Sequence, residues 1–290
     1  MASPLPSYSE VHALHTEFAN SGEQSVYKFA RETGRSASTV KRWLNQYHAT
    51  APAAQDPSSQ GDIILAIGDL HAPFMHPDAI AFLQAAKDKF QPTRIVLMGD
   101  ELDGHALSQY DPDPDGFSAG HELNAGLEQL QPLYRLFPVA SVCVSNHGIR
   151  PFKRAYQAGI PKAFLKSYRE FMACPQTWFW EERIEIGDWL FEHGEGVSGP
   201  LGAMKKAMNN MKSTAIGHLH SDAGVLTFNN GDRVIYALNA GCMIDAKAYA
   251  FAYGKHSARK PVIGVAVIER GIPHFHPMQM DAAKRWTGTL

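Results

Sequence analysis

Cysteine is scarce in this sequence. Cys143, Cys174 and Cys242 are far apart and form no Cys-x-x-Cys pair, so the chain shows neither a disulfide framework nor a thiolate zinc site. A reducing cytoplasm fits this usage best. Long hydrophobic runs are also missing: no uninterrupted stretch approaches bilayer-spanning length, and MASPLPSYSEVHALH lacks the basic start and apolar core of a secretory leader. These absences predict a soluble cytoplasmic protein with no membrane partner. Charge of one sign is lacking too. A net charge of -2 argues against a protein that binds nucleic acid over its whole surface and leaves only local charge to argue for it. There is no internal repeat, and the 290 residues, 44% apolar and 19% charged, have the composition of an ordinary globular chain.

What is present begins with GDIILAIGDLHAPFM, residues 61 to 75. The run Ile63 to Ile67 reads as a strand buried on both faces, Gly68 permits a sharp turn, and Asp69 and His71 follow on the loop. The carboxyl end of a strand is where open α/β sheets place their sites. The pattern recurs. The run 94 to 98 stops at Gly99, Asp100, Glu101, Leu102, Asp103, and the run 139 to 145 stops at Asn146 and His147. Two later runs stop at His193 and at Gly217, His218, Leu219, His220. Five apolar runs ending in Asp, Asn or His predict one shared oxygen-and-imidazole site. Such donors suit manganese first, with iron, zinc or nickel as alternatives, and seven ligands suit two divalent ions better than one.

Before that region lies a separate pattern. Residues 1 to 48 carry apolar residues at helical spacing in three segments, with Gly34 as a breaker and Val40, Trp43, Leu44 and Tyr47 on one face of the last. The spacing Ala30, Gly34, Val40 resembles a helix-turn-helix, which would leave Ser38, Thr39, Lys41, Arg42 and Asn45 outward as candidate DNA contacts. Lys28, Arg31, Arg35, Lys41 and Arg42 face only Glu32 in that region, so residues 25 to 47 are the expected DNA-binding part. Residues 49 to 60 read as an Ala-, Pro- and Ser-rich linker, and residues 61 to 290 as the large domain.

Within that large domain, 79 to 90, 121 to 136 and 203 to 212 read as helices, 150 to 182 as a basic helical or irregular stretch, and 183 to 193 as a hairpin. The acidic segment 111 to 116 reads as a solvated turn.

Residues 61 to 279 resemble the calcineurin-like metallophosphoesterases, among them phage-type members. The family's Asp-x-His motif matches Asp69 and His71, its Gly-Asp-x-x-Asp motif Gly99 to Asp103, and its Gly-His-x-His motif Gly217 to His220. His193 in EHGEG matches its isolated histidine. The resemblance implies an αββα sandwich of two mixed sheets with helices outside, to which the three-helix amino-terminal domain is added. It implies one metal on Asp69, His71 and His220, another on Asn146, His193 and His218, and Asp100 between them. It implies hydrolysis of a phosphate ester by a hydroxide bridging the ions, with His147 beside the leaving group as proton donor or charge stabiliser. Asp103, His105 and Arg150 would contact these groups or the substrate. Where the family has an acid after Asn-His, this sequence has Gly148. Phosphoproteins are an alternative substrate; a DNA-binding regulator and a metal scaffold with weakened catalysis are alternative functions. A phage origin, hence a host cytoplasm, and self-association are left open.

Overall fold

The computed structural model describes residues 26–40, 61–108, 115–249 and 259–290. The acidic turn expected at 111 to 116 and the third amino-terminal helix with Lys41, Arg42 and Asn45 lie largely outside them. The chain divides into two compact units, Met1–Pro57 and Ser58–Leu290.

In the first unit, helix α1 (Val26–Glu32) ends where Gly34 takes a left-handed φ of 66°. Arg35 N–H donates to Ala30 O at 2.8 Å and Gly34 N–H to Arg31 O at 3.3 Å. This is the Schellman arrangement, in which a glycine without a Cβ closes the orphan carbonyls of a helix end. Residues 37–40 are helical again, started by Ser36 Oγ accepting from Thr39 N–H at 3.1 Å. Phe29, Ala30 and Val40 are buried.

The second unit is a mixed α/β sandwich of two sheets flanked by helices. Strand β1 (Ile63–Ile67) sits inside the first sheet, parallel to β2 (Arg94–Leu97) and antiparallel to β10 (Gly264–Glu269). The sheet continues through β3 (Ala140–Cys143) to β4 (Trp178–Glu181) on one side and to β11 (Ile272–Pro277) on the other. The second sheet runs in the order β5 (Ile184–Ile186), β6 (Trp189–Phe191), β7 (Ser213–Ile216), β9 (Val234–Asn239), β8 (Gly224–Asn229).

The continuous apolar run of β1 follows from its position between two cores. Leu65 and Ile67 pack toward Phe82 and Leu83 of α2 (Ala79–Phe90) and Leu130 and Leu133 of α3 (Ala119–Leu136). Ile64 and Ala66 face Trp189 and Phe191 across the gap between the sheets. Each such side chain taken from water contributes roughly 1.5–3 kcal/mol before entropy is charged. On the outer face of the second sheet, Ala203 and Ala207 of α6 (Gly202–Asn210) pack on Ile216, Ile235 and Ala237.

One stretch differs from expectation. Residues 150 to 182, read as helical or irregular, contain α4 (Arg150–Gln157) and α5 (Tyr168–Met172) but end in strand β4. An edge strand of four residues, WFWE, is too short to display a period, and its aromatic residues suit helix and strand cores alike. Trp178 is fully buried, its Nε1–H donating to Phe137 O at 2.8 Å.

Candidate metal centre

Parallel strands β1, β2 and β3 of one sheet and β6 and β7 of the other bring their carboxyl ends together. Gly68 permits this convergence, because a Cβ there would lie 1.9 Å from Gly241 O. The loops after these five strands carry every sequence-predicted metal ligand.

Two clusters share one carboxylate. Asp69, His71, Asp100 and His220 form the first, Asp100, His193 and His218 the second, the donor atoms of each lying within 4.8 Å of one another. In the first, His220 Nε2 is 2.8 Å from Asp69 Oδ2 and 3.1 Å from His71 Nε2. In the second, His193 Nε2 is 2.7 Å from Asn146 Oδ1. Asp100 Oδ2 stands 3.4 Å from both His71 Nε2 and His193 Nε2.

The far side of each ring fixes which nitrogen faces inward. His71 Nδ1–H donates to Asp103 Oδ1 at 2.6 Å, and His193 Nδ1–H to Met98 O at 2.7 Å. In the neutral rings the Nε2 lone pairs therefore converge on the clusters, the arrangement that orients histidine ligands toward a metal. Lone pairs 3.1 Å apart repel unless a proton or cation lies between them. Asp69 Oδ1 is buried and has no hydrogen-bond partner among the described residues, which is costly for an anionic oxygen unless a cation meets it. The residues thus fit two divalent cations.

Three of the ligand loops carry backbone strain. His71, Asp100 and His218 have left-handed φ values of 49°, 50° and 66°, a conformation costing side-chain-bearing residues about 1–3 kcal/mol each. The cost is offset by contacts the turned backbone makes. His71 N–H and Leu70 N–H both donate to Asp100 O, and His218 N–H donates to Asp69 Oδ2 at 2.7 Å.

The titration behaviour reports the same negative potential. Burial pulls His71 down, but hydrogen bonds to Asp100 and Asp103 and their charges outweigh it and raise it to about 10. Burial also opposes charge on His193, yet the Asp100 carboxylate lifts it to about 9. Asp100, which burial would raise, is held well below the usual carboxylate range by the charge of His193 and by hydrogen bonds to His193 and His71. Without cations, protons on these rings offset the buried carboxylates.

Both ring nitrogens of His147 are engaged. Its Nδ1–H donates to Asp103 O, and its Nε2 accepts from Arg150 Nη2–H at 2.9 Å. A guanidinium can only donate, so the ring is neutral with its lone pair engaged. Burial and the neighbouring cations lower it to about 4 against the pull of Asp100. Arg150 Nη1–H also donates to Asp103 O at 2.7 Å and Gly104 O at 3.2 Å. Asp103 therefore braces His71 with its side chain and the His147–Arg150 pair with its carbonyl. His105 takes part through its backbone, N–H donating to Glu122 Oε1 at 2.8 Å.

Among the DNA candidates Ser38 is exposed and Thr39 half-buried, whereas Lys41, Arg42 and Asn45 lie outside the described residues.

Sequence reading missed several supports. Ser145 Oγ accepts from Asp100 N–H at 2.9 Å and Gly148 N–H at 3.2 Å, clamping the loops after β2 and β3. Gly148 fits under this clamp because a Cβ there would lie 2.8 Å from Tyr168 Oη and 3.1 Å from Ser145 Oγ. Glu101, buried behind Asp100, accepts from Trp180 Nε1–H at 2.6 Å, and burial pushes it up to about 7. Its partners come from α5 and β4, which no local pattern connects to it.

No protein-family model matches the chain, and no curated protein does. Three solved structures are similar to it at low identity. Vacuolar Protein Sorting 29 from Cryptosporidium parvum is 14% identical, covering 75% of this chain and 96% of its own, with a TM-score of 0.36. Vps29 from Chaetomium thermophilum is 13% identical over 79% and 94%, with a TM-score of 0.42. A single-substitution mutant of Vps29 from Entamoeba histolytica is 16% identical over 76% and 99%, with a TM-score of 0.34.

Proposed function

We propose that this protein hydrolyses phosphate esters with two divalent cations, as its resemblance to calcineurin-like metallophosphoesterases implies. The observation that carries the reading is the pair of buried His/Asp clusters sharing Asp100. Asp69, His71 and His220 would hold one ion, Asn146, His193 and His218 the other, and Asp100 both. When bound, such ions acidify water and neutralise charge on a phosphoryl group. The chain's own residues supply orientation and charge. Asp103 and the Met98 carbonyl hold His71 and His193 with Nε2 inward. His147 N–H, 3.2 Å from Asp100 Oδ1, fixes that carboxylate. Arg150 gives a permanent positive charge beside His147, so that charge stabilisation needs no proton on the imidazole. Manganese is our first choice for hard oxygen and imidazole donors.

The test is hydrolysis of bis(4-nitrophenyl) phosphate by chelator-treated protein, alone and with manganese, iron, zinc or nickel. Turnover should be absent with chelator and return with at least one ion. Equal turnover in chelator, or none with any ion, contradicts the reading.

We further propose that residues 1–48 bring the enzyme to DNA, with 49–60 as linker and 61–290 as the catalytic domain. The basic excess between Lys28 and Arg42 supports this, as does the helix, left-handed glycine and second helix in residues 26–40.

A further inference from the structure

Beside the two clusters lies a cleft of about 350 Å³ whose walls include Asn146 and His218. Its other wall is one face of α4. Arg150, Lys153, Arg154 and Gln157 all line it, and they stand at i, i+3, i+4 and i+7, the spacing that puts side chains in one stripe along a helix. The apolar residues of the same helix point elsewhere: Pro151 and Phe152 line a separate pocket under Gly148. The sequence of α4 thus divides a polar cleft on the metal side from an apolar one behind it.

Neutral carbonyls help to hold the two guanidinium groups of that stripe in place. Arg154 donates to the carbonyls of Leu107 and Ser108 and to Gln157 Oε1, and Arg150 donates to the carbonyls of Asp103 and Gly104. Among the described residues no carboxylate pairs with Lys153 or Arg154. Glu195 also lines the cleft, leaving an excess of positive charge. Neutral carbonyls fix a guanidinium's direction while leaving its charge for an anion, and guanidinium groups match phosphate oxygens with paired N–H donors.

We propose that this face of α4 is a subsite for a second phosphate, so that the substrate of the metal centre is a phosphate chain and not an isolated ester. The inference rests on the phosphoesterase reading and narrows it. Arg150 to Gln157 spans about 10 Å along the helix axis, roughly the rise of three nucleotides along one strand. That reach favours phosphodiesters in a nucleic-acid strand over the shorter anhydride chain of a nucleoside polyphosphate, and both share the chemistry the stripe would recognise.

The experiment uses the full chain with added manganese and three substrates with one leaving group. They are the 4-nitrophenyl esters of thymidine 5′-phosphate, of a 5′-phosphorylated thymidine trinucleotide and of thymidine 5′-triphosphate. The trinucleotide ester should have a kcat/KM about tenfold above the mononucleotide ester, the scale of one charge-assisted contact. In Lys153→Ala and Lys153→Glu that ratio should fall toward one, further in the second, while Lys205→Ala on the exposed side of α6 keeps it. A gain by the triphosphate ester alone, lost in Lys153→Glu, would support the subsite and identify an anhydride chain as its ligand. Equal kcat/KM for all three esters would overturn the proposal. A preference that survives Lys153→Glu but disappears in Lys41→Ala/Arg42→Ala would overturn it too and move the contact to the amino-terminal unit. Failure to hydrolyse any ester would overturn the phosphoesterase reading, and this inference with it.

Discussion

Glu101 and Arg150 show how single residues around the clusters set charge without being ligands. Burial raises Glu101 to about 7, above its ordinary value of 4.5, so the folded chain binds a proton that the unfolded chain has lost between those pH values. Its contribution to stability is full below about 4.5 and falls as pH rises to about 7, by roughly 3 kcal/mol at 1.36 kcal/mol per pH unit. In the metal-free protein, Glu101→Gln should therefore gain thermal stability over the wild type as pH goes from 5 to 8, because the neutral amide keeps the Trp180 contact without an ionisation cost. Melting curves across that range check it; a constant difference would assign Glu101 no titration. At Arg150 the expectation concerns rate. With His147 neutral and Arg150 supplying charge, His147→Ala and Arg150→Gln should each lose about 10²-fold in turnover, equally for 4-nitrophenyl and alkyl esters. A much steeper loss for alkyl esters would return the proton-donor role to His147.

At the scale of elements, five loops after five strands build the clusters, and these were legible because each apolar run stops at a polar ligand type. Asp69, Asp100, Asn146, His193 and His218 stand where strand periodicity ends. What joins the loops was not legible. The left-handed backbone at His71, Asp100 and His218 is imposed by long-range hydrogen bonds, and these residue types carry no local demand for it. Strand β4 escaped for a related reason: Trp178 and Trp180 are read as helix or strand only once β3 lies beside them. Close approach between loops gives a sharp test. A Cβ at Gly217 would lie 2.3 Å from Asp69 Oδ1 and 2.9 Å from Met98 Cβ. Gly217→Ala should thus cost about 1–3 kcal/mol and weaken metal binding. Calorimetry with metal titration measures both, and unchanged affinity would separate Asp69 Oδ1 from the ion.

For the whole molecule, no helix of the described residues is long and apolar enough to cross a membrane, and the two proposed roles are assigned to separate units. If Met1–Pro57 recruits DNA, the full chain should bind a fluorescent duplex weakly at low salt, lose that binding steeply as salt rises, and lose most of it in Lys41→Ala/Arg42→Ala. Anisotropy equal in wild type and variant would contradict recruitment. The proposed catalysis stands or falls on the carboxylate shared by both clusters. The decisive measurement is bound metal per chain together with phosphodiester turnover, in wild type and in Asp100→Asn, after chelation and reloading with manganese. Two ions per wild-type chain, with metal content and turnover falling together in Asp100→Asn, is the predicted result. Two ions still bound and near-normal turnover in the variant would contradict a dinuclear centre built on Asp100.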